Sequence, residues 1–269
     1  MSILGLRSAE ELRALGLPRG LRAFGREAAI AAATWLIYFL VRGSVVDRVG
    51  EATDRAVGLM DLERSLGLFW EPAMQGWILS SRALIDLANA VYFWTHMPVI
   101  IVVAVALYWR RPSVYRLIRN AFVVSAAIAL LMYFLLPLAP PRFFPELGFV
   151  DTMALYASAN YQAQEVGLFV NPFAALPSLH FGWALLIGIA LWLGRPSGRR
   201  GATIALVAAS VLVAGQFLAV IVTGNHYLLD VVAGLAVAGV GMAVSLMLRR
   251  VASRRGRTPR SSANGGVEC

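Results

Sequence analysis

The stretch His226-Tyr227-Leu228-Leu229-Asp230-Val231-Val232-Ala233-Gly234-Leu235-Ala236-Val237-Ala238-Gly239-Val240-Gly241-Met242-Ala243-Val244-Ser245-Leu246-Met247-Leu248 sets one carboxylate, Asp230, into an otherwise apolar run. About 20 apolar residues in a helix cross the roughly 30 Å hydrocarbon core of a bilayer. The run therefore reads as a membrane span, and the rest of the chain agrees with it. Of 269 residues, 59% are hydrophobic and 14% charged, against roughly 25% charged in soluble domains. A soluble globular protein is excluded.

Working outward from that run, six segments read as spans: 28–46, 82–109, 117–138, 178–194, 202–222 and 226–248. Pro72 could open a helix running on into the second span, and Ser80-Ser81 reads as the break between them. The expected fold is all-α: a polytopic membrane protein of six transmembrane helices, with an interfacial helix and a long outer loop. It divides into a cytoplasmic Arg-rich segment over 1–27, a membrane catalytic domain over 28–248 and a disordered basic tail over 249–269.

All 24 basic residues are Arg, and the net charge is +9. Eighteen of the 24 fall before residue 28, in the loops 110–119 and 195–200, or after residue 248. Arg excess marks the cytoplasmic side of short loops, so both termini read as cytoplasmic. That requires an even number of spans, which six satisfies. The placement of the Arg residues at span ends explains the basic balance as membrane orientation, not nucleic-acid binding. The single cysteine, Cys269, excludes a disulfide framework and a Cys-based metal site.

Two non-spanning pieces face the other side. Residues 54–66 set Val57, Met60 and Leu66 against Asp54, Asp61, Glu63 and Arg64, the pattern of a helix lying in the outer interface. The 139–177 loop carries Pro140-Pro141, Pro145 and Pro172 together with Phe143, Phe144, Tyr156, Tyr161, Phe169 and Phe173, which predicts a packed lid.

Two of the three histidines occupy matching places. His180, in Pro177-Ser178-Leu179-His180, opens the fourth span, and His226 opens the sixth. Both reach the outer surface at helix N-termini, where unpaired N–H groups and the dipole favour anions. Asp230 follows His226 by four residues, on the same helix face. There it can accept the imidazole N–H and fix the tautomer. Gly234, Val237 and Gly241 continue that face and allow another helix to approach closely.

Pro177-Ser178-Leu179-His180 followed by His226-x-x-x-Asp230 resembles two motifs of the type 2 phosphatidic acid phosphatase (lipid phosphate phosphatase) superfamily. The wording His226-Tyr227-Leu228-Leu229-Asp230-Val231 is closer to the branch containing inositol phosphorylceramide and sphingomyelin synthases. Leu138-Ala139-Pro140-Pro141-Arg142, and Leu62-Glu63 with Leu66-Gly67, Glu71 and Gln75, are similar to bacterial members of that branch. The resemblance implies metal-independent phosphoryl transfer without a cofactor. His226 attacks phosphorus, Asp230 orients it, and His180 protonates the leaving oxygen. The superfamily's phosphate-binding Lys and two Arg have no full counterpart, since the chain lacks Lys and Val220 stands where an Arg is expected. Arg142, Ser178, Asn225 and the helix N-termini are then the expected phosphate contacts.

The expected activity moves a phosphoryl or phospho-head group between lipids at the outer face of the plasma membrane. The partners are a membrane lipid substrate and an acceptor that is a polar or lipid alcohol, or water. Alternatives are a lipid phosphate or isoprenoid (di)phosphate phosphatase and a non-catalytic transporter or scaffold. His96, about 21 Å into the second span at 1.5 Å per residue, reads as a satisfied interior histidine. Arg82 and Asp86 read as an i,i+4 ion pair.

Overall fold

The apolar runs form helices here, and the described residues contain no strand. The computed structural model describes residues 20–45, 47–156 and 172–255. The terminal tails expected over most of 1–27 and beyond 255, and the lid aromatics Tyr161 and Phe169, lie outside them. In chain order the helices are α1 (Gly20–Val45), α2 (Val49–Ser65), α3 (Glu71–Leu79), α4 (Arg82–Trp94) and α5 (Met97–Arg110). They continue with α6 (Pro112–Leu135), α7 (Thr152–Tyr156), α8 (Leu179–Gly194), α9 (Arg199–Val222) and α10 (Leu228–Arg255). α10 thus runs past the boundary at 248 drawn from the sequence.

Among the described residues, α6, α9 and α10 are long and apolar enough to cross a membrane, and α4 with α5 makes a fourth if that pair, bent by 41°, counts as one span. The chain is a multi-pass membrane protein by these helices. The expected count of six is not reached on this measure, which leaves out α1 and α8 and divides the second span. One physical reason is that α8 has only 16 residues, about 24 Å of rise. The other is that the segment 82–109 is not one continuous helix. Pro98, at the start of α5, has no N–H to give the Trp94 carbonyl, and this breaks the ladder. The break at Ser80-Ser81 stands as expected: Ser81 caps α4, its hydroxyl accepting from the Leu84 N–H. Arg82 pairs with Asp86 at 2.9 Å.

α8 is apolar on every side and lies at the centre, packed on α6, α9 and α10. Small residues set these distances. A Cβ on Gly182 would stand 2.6 Å from the Gly234 carbonyl oxygen, and one on Gly241 would stand 2.6 Å from that of Ala121. The small-residue face read on the last span is therefore a true contact face, against α8 at Gly234 and against α6 at Gly241.

α2 and α3 dock across the ends of these helices. Arg48 and Arg55 donate to the carbonyls of Phe134 (2.5 Å) and Leu135 (2.6 Å), occupying the C-terminal end of α6. Ala52, Ala56 and Met60 of α2 pack with Leu138, Phe144, Phe149, Phe173 and Tyr227 in one buried cluster. The described part of the 139–177 loop is thus packed, as its aromatic content predicts. Gln75 of α3 fastens it further, donating to the Val150 and Val222 carbonyls and accepting from the Val150 N–H.

Candidate active site

His180 and His226 come together, with ring centroids 5.8 Å apart. The approach of α8 to α10 brings this about. The Ser178 N–H donates to the Asp230 carbonyl at 2.9 Å, joining the two motifs through their backbones. Ser178 caps α8, its hydroxyl accepting from the Phe181 N–H.

His226 lies in the turn before α10, where Gly224 has φ +71°. Its Nδ1 is 2.9 Å from the Ala175 carbonyl oxygen. A carbonyl only accepts, so Nδ1 carries the proton and Nε2 keeps its lone pair. The Asp230 carboxylate lies 3.5 Å from the same nitrogen. The expected Asp230 contact is therefore present, with a backbone carbonyl as the nearer acceptor. The reason is local: Asp230 Oδ2 also accepts the Tyr227 N–H at 2.9 Å.

The N-terminus of α10 is closed by carboxyl groups. The Leu228 N–H donates to Glu71 Oε1 and the Leu229 N–H to Glu63 Oε1, each at 2.8 Å. With Tyr227 already bound to Asp230, three successive N–H groups are occupied. This overturns the expectation that the N-terminus of the last span offers N–H groups to phosphate. Burial first, and neighbouring carboxyl charge after it, lifts both glutamates above the usual carboxylate range, Glu63 to about 9.

Arg142 reaches the site from the loop. Its backbone N–H donates to Gly224, its guanidinium to Asn225 Oδ1, and its Nε lies 3.5 Å from Asp151 Oδ2. Asn225 donates in turn to Thr223 Oγ1 at 2.8 Å, so its amide holds the arginine in place. All six residues singled out from the sequence thus stand around one locus.

One residue read as interior belongs there too. His96 stacks on His180 at 3.9 Å and 25°, and its other face meets Trp183 at 5.3 Å and 13°. Tyr92 covers the opposite face of His180 at 4.2 Å and 17°. Trp183 is itself fixed by its indole N–H, which donates to Ser125 Oγ of α6 at 3.0 Å. His96 is therefore no satisfied interior histidine: its Nδ1 is buried without a hydrogen-bond partner among the described residues. The straight-helix depth that removed it from the site fails because α4 and α5 part at residues 95–96. Pro98 breaks the ladder locally, and packing decides which way the chain turns there.

The sequence pattern of the PAP2 superfamily matches residues 57–244, a stretch that holds both histidine motifs and every site residue named above. The chain belongs to the PAP2 superfamily. No curated protein and no solved structure matches it. Members of this superfamily are generally phosphatases or phosphotransferases, and membership suggests such an activity on lipid phosphates. Among the described residues, no group of three or more His, Cys, Asp or Glu side chains is arranged to hold a metal ion.

Proposed function

We propose that this PAP2 protein is a phosphotransferase of the synthase-like branch, moving a phospho-head group between lipids through a phosphohistidine. One observation carries the reading: His226 Nδ1 is committed to the Ala175 carbonyl, which leaves Nε2 for attack beside His180. In the first step Nε2 forms the N–P bond as the bond from phosphorus to the leaving oxygen breaks. Protonated His180 gives its proton to that oxygen. The positive charge left on the His226 ring, which keeps its Nδ1 proton, is offset by Asp230. In the second step an acceptor hydroxyl loses its proton to His180 and attacks phosphorus, and His226 Nε2 leaves. Arg142 and Ser178 contact the phosphate, and Asn225 acts through Arg142. No metal or cofactor enters these steps, so chelation leaves the rate unchanged.

The charge balance favours transfer from a phosphodiester. The chain has no Lys, and Arg142 already faces Asp151, while Asp230 stands beside His226. A phosphodiester brings one negative charge to this site and a phosphomonoester brings nearly two. The reading places the site on the extracytoplasmic face of the plasma membrane, and the Arg asymmetry supports that side.

The test is leaving-group dependence in a single turnover, with products identified from a labelled phospholipid pool with and without added alcohols. His226→Ala abolishes release of every leaving group. His180→Ala loses about 10²–10⁴-fold with an alkyl alcohol and much less with an activated aryl group, which needs no proton. Equal losses with both would refute the acid assignment. Release of free phosphate without transfer to any alcohol would replace the transferase reading by the phosphatase one.

A further inference from the structure

Glu63 and Glu71 are buried completely, they come from two different helices, and the chemistry above does not use them. Each spends Oε1 on an α10 N–H, at Leu229 and Leu228. Each buries Oε2 away from every N–H or O–H donor among the described residues. Their Oε1 atoms take the N–H groups of two successive residues, which brings two fully buried carboxyls side by side. Two buried carboxylates so close repel each other, and a proton between them removes that repulsion. We propose that Glu63 and Glu71 share one proton and act as a single monoanionic cap that holds the α10 N-terminus, and with it the turn bearing His226, at the angle that attack requires. They are positioning residues: neither touches the reacting atoms.

The groups around the pair make its charge state matter. Asp230 and Tyr227 face it from the α10 end, and Tyr227's hydroxyl and Asp230 Oδ1 are buried without hydrogen-bond partners among the described residues. Among the described residues, no arginine or histidine hydrogen-bonds either carboxyl. Loss of the shared proton sets two carboxylates side by side next to Asp230, and their repulsion separates α2 from α3 exactly where both hold α10. A glutamine reproduces the protonated partner atom for atom: its Oε1 accepts the backbone N–H, and its amide donates to the remaining carboxylate. Either single replacement keeps one negative charge and one donor. The double replacement sets two amide donors against each other and removes the charge.

The inference rests on His226 as nucleophile for its effect on rate, and the pair itself is read independently of activity. The experiment is an infrared pH titration of the purified full chain in lipid nanodiscs, compared for wild type, Glu63→Gln and Glu71→Gln. Wild type shows a D₂O-sensitive carboxylic-acid C=O band near neutral pH that disappears with a midpoint near 9; both single variants lack it. Persistence of the band in both variants, or its absence from wild type, overturns the proposal. In the activity arm, wild-type kcat/KM declines along an alkaline limb that both single variants lose, while they keep neutral-pH rates within about threefold. Glu63→Gln/Glu71→Gln falls by about 10²-fold, the scale of a 1 Å misplacement. Double-variant activity equal to the singles also overturns the proposal. If no phospholipid turns over in wild type, the transferase reading falls and the infrared titration still decides the pair. If the double variant does not fold, the single variants decide it.

Discussion

A Cβ built on Gly234 would stand 2.3 Å from the carbonyl oxygen of Ser178. That contact is where the helix following His226 meets the cap of the helix bearing His180. Because the obstructing atom is backbone, the two helices must separate to admit even a methyl group. Gly234→Ala is expected to cost about 1–3 kcal/mol of stability through overpacking and to lower activity at least tenfold, about 1.4 kcal/mol of barrier. Gly239 has nothing within 4 Å, so Gly239→Ala keeps activity and gains helix propensity. Thermal unfolding and turnover of the two variants, side by side, check the expectation.

His96 supports His180 by ring contact. His96→Ala exposes one face of the His180 ring to a void and frees it to tilt, with a loss of about 10²-fold in the alkyl leaving-group reaction. His96→Phe keeps a flat ring between His180 and Trp183 and is expected to recover most of that loss. A phenylalanine variant as impaired as the alanine one would show that an imidazole nitrogen of His96 is itself required.

The raised proton affinity of Glu63 has a consequence for stability. The unfolded carboxyl titrates near 4.5, and the folded one holds its proton to about 9 because of burial and its acidic neighbours. Between those values the native state binds more protons than the unfolded state, so this group makes stability fall as pH rises. Its stabilisation is complete below 4.5 and lost by the time pH passes 9. The melting temperature of wild type is expected to decline across that window, followed by tryptophan fluorescence, and the Glu63→Gln curve to be flatter there.

The membrane orientation is open to a labelling test. In a Cys269→Ser background, Glu146→Cys lies on the exposed turn beside the site and Ser197→Cys on the exposed α8–α9 connection. An impermeant thiol reagent is expected to modify the first in intact cells and the second only after lysis. Reversed labelling would put the site in the cytoplasm and change the pool of lipids it meets.

The sequence by itself determined the helical membrane class, the two histidine motifs and the small-residue face of the last helix. These are local signals: runs of apolar residues, a four-residue spacing from His226 to Asp230, glycines in register. Sequence spacing also located the break at Ser80-Ser81, because a cap is a local feature. What it could not give was the partner of each buried polar group. Glu63 reads as the polar side of an interfacial helix and Glu71 only as part of a resemblance, and only the docking of α2 and α3 turns them onto the N–H groups of Leu229 and Leu228, more than 150 residues away. His96 was misplaced because depth along a straight helix means nothing beyond a bend. The Ala175 carbonyl that fixes the His226 tautomer is backbone, so no side-chain motif could announce it. Hydrogen bonds between distant segments form when packing places them within about 3 Å, and that distance is decided by tertiary structure alone.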